Sequence, residues 1–324
     1  MQTSPQPRDP NKRLVLFHRD FQRFTGGHLK VWDYFNHVLA SPDYEPRIAF
    51  TSDSKWDQTN PWSNAREYVG DWKPDGADVL FVAGKDWKHL AGTIPANGRK
   101  PVINLIQHPR HADTRDQLHV FLTNRAVRIC VSQQVADAIN ATGRVNGPVV
   151  VIPNGANIKE LVAVPPNQQR PTDVLICGLK APDLARRLDK RLRQDENVRV
   201  TPLLDWTPRH EYLQQLGRAK IVVTLPRPTE GFYLPALEAM ASGAIVICPD
   251  CLGNRDFCLD RVNCFRPGYD LDELTAAVYR AFALSPDEAD TMRSHAAATV
   301  RQHSLDRERE EFLRILGRLD ELWG

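Results

Sequence analysis

The stretch from Pro228 to Gly243 constrains this chain more than any other. An apolar, β-branched run, Lys220 to Leu225, precedes it, and a second, Ala244 to Cys248, follows at once. Two such runs joined through a loop and a short helix read as buried strands of a parallel sheet, since parallel neighbours need a crossover connection and are covered on both faces. Pro235 stands near the first helical position and Gly243 just past the last, the usual asymmetry of helix termini. Glu230 lies in the loop and Glu238 inside the helix. Loop N–H groups and a helix N-terminus converge there, which suits anions and sugar hydroxyls.

The stretch also carries a resemblance. Glu230, Gly231, Phe232, Leu234, Pro235, Leu237, Glu238, Ala239, Met240, Ala241 and Gly243 match the Glu-x7-Glu signature, so the chain resembles the retaining, nucleotide-sugar-dependent glycosyltransferases of the two-Rossmann (GT-B) architecture, most closely family four. Tyr233 departs from the pattern, standing where that family usually has a second glycine. The resemblance implies that Glu230 binds hydroxyls of the transferred sugar and Glu238 those of the ribose. It implies that Gly231, Phe232, Tyr233 and Leu234 lie along the donor; the departure at Tyr233 is expected to narrow the sugar pocket. A bland alternative makes Glu230 a partner of the helix's positive end and Glu238 part of a solvated face. That alternative leaves Gly231-Phe232 and the apolar flanks unaccounted for.

Other segments take their places around this one. Leu14 to Phe17 reads as a buried strand, and Gly26-Gly27 opens a helix with Leu29, Trp32, Phe35 and Leu39 on one face. The paired glycines let backbone approach a ligand, and the resembled family has a comparable loop facing its substrates; a tight turn would use glycine as well. Further strands are expected at Arg47 to Phe50, Asp78 to Val82, Pro101 to Pro109, Val127 to Ser132 and Val149 to Ile152. The strand beginning at Pro101 ends in Gln107 and His108, where ligands of open α/β sheets bind. The family often carries His or Gln there, near the transferred sugar, and the register between the two stays open. Ser132 reads as a helix N-cap, and Ile152-Pro153-Asn154-Gly155 resembles a family landmark.

Asp173 to Cys177 starts a second strand-helix series, followed by Gly178-Leu179-Lys180 and a basic helix from Pro182. The family usually has Gly-Arg here; the arginine is missing, so Lys180 is the candidate cation for the diphosphate. Val198 to Leu204 is the next strand, and its end, Leu203 to Trp206 with Leu204 at the turn, falls where family backbone reads the nucleotide base. Trp56, Trp62, Trp72 and Trp87 read chiefly as core, with stacking on an acceptor sugar as the alternative.

Composition sets the frame. The chain's 324 residues suit two domains, and a formal net charge of +2 gives no strong case for nucleic acid. No apolar run reaches membrane-spanning length and the N-terminus lacks a signal-peptide core, so a cytoplasmic protein is expected, with peripheral membrane attachment as an alternative. Cys248, Cys251, Cys258 and Cys264 invite a zinc reading, but Cys130, Cys177 and Cys248 fall in buried strands, where cysteine behaves as a small hydrophobe.

The expected fold is therefore α/β of GT-B type, two Rossmann-like domains with parallel sheets facing a central cleft. Residues 1–12 read as a disordered tail, 13–158 as the acceptor-side domain, 159–171 as a linker and 172–304 as the nucleotide-sugar domain, with a helix over 305–324 returning to the first domain. The resemblance implies a metal-independent, retaining glycosyltransferase without cofactor, using a UDP- or GDP-sugar as co-substrate. Its acceptor would be a glycan, a lipid-linked molecule or a small molecule. Glu230, His108 and Lys180 are the candidate catalytic residues. Glu238, Gly231, Phe232, Tyr233, Leu234, Gly26, Gly27, Gly178 and Leu204 are the candidate donor ligands. Asp20 and Asp113 stay open as a separate base. The alternative is a silent, hydrolytic or epimerising protein of the same fold that binds nucleotide sugars.

Overall fold

A computed structural model of the chain describes residues 8–90, 100–157 and 169–324. The expected tail up to residue 7 and linker residues 159–168 lie outside the described residues. Residues 8–12 are tied down, with Arg8 paired to Asp78 at 2.6 Å. The chain divides into two compact units, Met1–Pro153 with Asp306–Gly324, and Asn154–Leu305.

The first unit is built on six parallel strands: β1 (Arg13–Arg19), β2 (Tyr44–Phe50), β3 (Val79–Ala83), β4 (Val102–Ile106), β5 (Val127–Cys130) and β6 (Val149–Val151), in the order β2-β1-β3-β4-β5-β6. β3, β4 and β5 are buried along their full length, as expected of apolar runs covered on both faces. Helix α1 (Gly26–Leu39) follows β1, with Thr25 as N-cap, and α2 (Gln133–Asn140) follows β5, with Ser132 Oγ accepting from the Val135 N–H.

The inward face of α1 differs from the apolar stripe read from the sequence. Leu39 is exposed, while Lys30, Asp33 and His37 are buried beside Tyr34 and Phe35. The C-terminal segment explains why. It forms α8 (Leu305–Gly317) and α9 (Leu319–Trp323), two helices rather than one. Glu308 of α8 meets Lys30 Nζ at 2.6 Å and His37 Nε2 at 3.1 Å, and Asp33 meets the same Lys30 at 2.8 Å. A buried ammonium survives only with such partners. Burial pushes Lys30's pKa down, but the Asp33 and Glu308 carboxylates outweigh that and hold it above its ordinary value. Phe312 packs edge-on to Tyr34 at 4.7 Å, and the Tyr44 hydroxyl donates to the Leu316 carbonyl.

The second unit has four parallel strands: β7 (Thr172–Cys177), β8 (Val200–Leu203), β9 (Ala219–Thr224) and β10 (Ile245–Ile247), in the order β10-β9-β7-β8. Its helices are α3 (Pro182–Leu192), α4 (Arg209–Arg218), α5 (Leu234–Ala241), α6 (Leu271–Phe282) and α7 (Pro286–Gln302). Alternation along the strands builds two cores. Leu175, Val222 and Val246 pack with Leu213 and Leu216 of α4 and Leu237 of α5. Val174, Ile176 and Val223 pack with Leu188 of α3 and Val278 of α6. Helices cover both faces, the doubly wound arrangement. Asn154 to Asn157 belongs to this unit: Ala156 N donates to His303 O at 2.9 Å, and a Cβ on Gly155 would meet Ser304 backbone at 2.6 Å.

Candidate active site

In a doubly wound sheet the chain leaves its first strand to one side and returns to the other, which opens a crevice at the strands' carboxyl ends. In the second unit that point lies between β7 and β9, where Cys177 sits beside Thr224 in register. Two loops rise from it: Gly178 to Ala181, leading into α3, and Leu225 to Tyr233, leading into α5.

The first loop needs glycine. A Cβ on Gly178 would lie 2.3 Å from the Ala185 Cβ and 3.1 Å from Leu204 Cδ2, so α3 packs directly on the strand end. Gly178 and Leu204 are therefore packing partners. Lys180 is lifted from this turn, and its Nζ meets Glu230 Oε2 at 2.6 Å and stands 5.5 Å from the Tyr233 ring centre. Glu230 is largely enclosed.

The second loop is laced to the segment after β10. Tyr233 N donates to Gly253 O and Leu252 N to Pro228 O, each at 3.0 Å. A Cβ on Gly253 would sit 2.5 Å from Phe232 N, so only glycine allows the approach. Phe232 stacks on Phe257 at 5.0 Å and tilts against His303. Tyr233 turns into the core at 2% exposure, under Lys180, and burial holds its phenol protonated, well above its ordinary pKa. Tyr233 therefore does not narrow an open pocket with its ring, as the sequence suggested; its apolar body packs into the core of this unit. Leu234 opens α5 with Pro235 beside it, and Gly243 follows at φ +70°.

Glu238 lies on α5 and is buried at 6% exposure, so it is not on a solvated face. Its Oε1 accepts a hydrogen bond from Arg209 Nη1 at 2.9 Å. The sequence reading missed Arg209. A signal existed: Arg209 opens α4, where the positive helix end disfavours a cation unless a carboxylate compensates. Glu230 and Glu238 thus each hold one cation, Lys180 and Arg209.

Beneath the loops lie thiols. Cys248, Cys251, Cys258 and Cys264 are all buried in the apolar core of this unit. Burial, with Glu238 nearby, pushes Cys177 up to about 12. Among the described residues no three His, Cys, Asp or Glu side chains are arranged to hold a metal ion.

The first unit has its own crevice, between β1 and β3. Gly26 and Gly27 open α1 there, and Gln107 Nε2 donates to the Gly27 carbonyl at 3.2 Å, so Gln107 ties the end of β4 to this turn. His108 Nδ1 accepts from Arg110 N at 3.0 Å and caps the turn Pro109–Ala112. Asp113 is paired with Arg115 on the surface, and Asp20 accepts from Gln22 and Thr51. Groups not singled out in the sequence lie in the same region. His18 is buried, stacked on His89 at 4.1 Å and edge-on to Trp72 at 5.0 Å, with Nδ1 3.5 Å from Asp86 Oδ1. Asp86 is held by Arg19 at 3.1 Å and by the Ala83 N–H at 2.9 Å. Burial and Arg19 lower His28 to about 4. Of the four tryptophans, Trp62 and Trp87 are core, Trp56 lies under the Arg66 guanidinium, and Trp72 is half-buried.

These two parallel-sheet α/β units make a GT-B fold. Residues 147–283, which hold the second unit's sheet, match the family model described as "Glycosyl transferases group 1". A glycosyltransferase from Rickettsia africae superposes with a TM-score of 0.71 at 12% identity, over 95% of this chain and 99% of that one. The Anabaena protein HepE, in complex with UDP and glucose, superposes with a TM-score of 0.73 at 16% identity, over 94% and 99%. Sucrose-phosphate synthase from Thermosynechococcus elongatus does so with 0.68 at 15% identity, over 96% and 100%. No curated protein matches the chain by sequence.

Proposed function

We propose that this protein is a glycosyltransferase that moves a sugar from a UDP- or GDP-sugar to a glycan, lipid-linked or small-molecule acceptor, with retention of anomeric configuration and without a metal ion. The observation that carries the reading is the pair of carboxylates at the second unit's crevice, each held by one cation. The group 1 match over this unit and the likeness to HepE, whose complex contains UDP and glucose, support a nucleotide-sugar donor.

Each residue then has a task. Lys180 neutralises diphosphate charge as the leaving group departs, aided by the loop backbone and the start of α5. Glu230 accepts hydrogen bonds from the transferred sugar, and Glu238 from the ribose. On a front-face route the departing diphosphate oxygen takes the acceptor's proton, so the protein's work is to hold both substrates and stabilise the leaving charge. His108, which caps its own turn, is retained only as a group near the sugar. We place the reaction in the cytoplasm; no helix among the described residues is long and apolar enough to cross a membrane.

A second reading, a protein that binds nucleotide sugars without transferring them, draws on Tyr233 and on the closed Lys180–Glu230 pair. One experiment separates the two. Incubation with a panel of nucleotide sugars and candidate acceptors should release nucleoside diphosphate and give a product whose NMR spectrum shows a retained anomeric centre. Inversion would defeat the mechanism, and binding without release from any donor would favour the second reading.

A further inference from the structure

We infer that the crevice of the first unit binds an uncharged sugar as the acceptor, with His18 Nε2 accepting a hydrogen bond from one of its hydroxyls and Trp72 lying against its ring. That the bound sugar is the acceptor rests on the transferase reading; the binding itself does not. His18 stands near the carboxyl end of β1, and Asp86 and His89 follow the carboxyl end of β3, so both strands flanking the opening contribute. His18 is 3% exposed, and its Nδ1 is buried without a hydrogen bond, 3.5 Å from Asp86 Oδ1. Its Nε2 takes no hydrogen bond among the described residues and is not among the buried unpartnered atoms, so that edge opens to the crevice. A buried imidazole with an unpaired nitrogen at an opening calls for a partner from outside.

The surroundings say what that partner is. Asp86 is fixed by Arg19 Nη2 at 3.1 Å and by the Ala83 N–H at 2.9 Å. A carboxylate beside Nδ1 favours the proton on that nitrogen and leaves Nε2 a lone pair. A lone pair requires a donor, which a hydroxyl supplies and an ionised carboxylate does not. A sugar carries several hydroxyls, so one can donate to His18 while another reacts. Charge points the same way. Burial lowers His28 to about 4 and lowers His89, and the charged side chains acting on these rings, Arg19 and Lys88 against Asp86 and Asp20, cancel. Apolar surface completes the match. His89 stacks on His18 and is itself exposed, and Trp72, held by its Nε1–H on the His89 carbonyl at 3.1 Å, is half-buried. A pyranose has a face of C–H groups and a rim of hydroxyls, which fits aromatic surface beside one hydrogen-bonding edge.

The test uses the full chain without donor. It is titrated with the methyl glycosides of glucose, galactose, mannose and N-acetylglucosamine, and with methyl glucuronide and inorganic phosphate as charged probes. Nitrogen NMR of the imidazoles should show His18 protonated on Nδ1 and bare on Nε2. At least one neutral glycoside should shift the Nε2 resonance, and the charged probes should leave it in place. His18→Phe keeps a ring and removes the lone pair, and should weaken that glycoside about 5- to 10-fold. His18→Gln, which still accepts, should recover part of the loss. Trp72→Ala, at a half-buried position, should weaken the same glycoside by about threefold or more. Unchanged UDP and GDP affinity and melting temperature show that the variants are folded. No shift with any neutral glycoside, an equal response to phosphate, or wild-type glycoside affinity in both His18→Phe and Trp72→Ala overturns the inference. If the glycoside binds at His18 but no nucleotide sugar glycosylates it, the sugar site stands and its acceptor role falls. If no donor is turned over with any acceptor, the transferase reading falls while the site stands.

Discussion

The two units place a crevice at equivalent points of their sheets and fill them differently. In the second unit, Lys180 from the loop after β7 and Arg209 from the start of α4 hold Glu230 and Glu238, and Lys180 keeps substantial exposure. In the first, Asp86 is tied inward by Arg19 and a backbone N–H, and His18 is enclosed by Trp72 and His89. Burial lowers His89, as it lowers His28. One crevice offers carboxylates with matched cations, the other neutral imidazoles and aromatic edges. Topology determines where a ligand can sit, and the side chains decide which chemistry it meets.

The sharpest way to break the comparison is through the second unit's loop. Gly253→Ala puts a methyl group against Phe232 backbone, where the added Cβ would lie 2.5 Å from Phe232 N. Overpacking of this kind costs about 1–3 kcal/mol, and a displaced loop should lower turnover by about 10- to 100-fold. Steady-state kinetics with thermal denaturation measures both; unchanged turnover would mean that the loop's position does not matter.

A smaller effect belongs to the first unit and to pH. Burial lowers His111 to about 3, against an ordinary value of 6.5. The unfolded state then binds the extra proton first as pH falls. The neutral, buried imidazole's contribution is complete above pH 6.5 and is lost progressively towards pH 3. Replacing it by a group that does not titrate, His111→Gln, should flatten the pH dependence of the melting temperature by roughly 5 °C over that window. Parallel curves for the two proteins would contradict this. The smallest effect should come from Trp72→Ala. It opens the first crevice and should leave nucleoside diphosphate affinity within about twofold, because the contacts proposed for the nucleotide lie in the second unit.

Much of this was legible beforehand because β-branched runs buried on both faces announce themselves. The ten strands found among the described residues all fall on expected segments, with ends moved by a residue or a few. The candidate site was legible where chemistry is local: Glu230, Glu238 and Lys180 all stand at the crevice, though Phe232 and Tyr233 proved to be anchors of their loop. What escaped were pairings made across long stretches of chain. Arg209 reaches Glu238 over 29 positions and Lys30 reaches Glu308 over 278. Periodicity cannot report such partners, and for α1 it favoured Leu39 over the charged residues that α8 covers.

The central claim is that the two carboxylates of the second crevice divide the donor between them. Donor affinity and turnover, measured side by side for Glu230→Gln and Glu238→Ala with the donor that wild type uses, test it most directly. A ribose ligand acts in ground and transition states alike, so Glu238→Ala should weaken donor binding about 10- to 100-fold with turnover at saturation largely kept. A ligand of the reacting sugar gains in the transition state, so Glu230→Gln should keep affinity and lose on the order of 100-fold in turnover. Two variants that match wild type in both quantities would contradict the account.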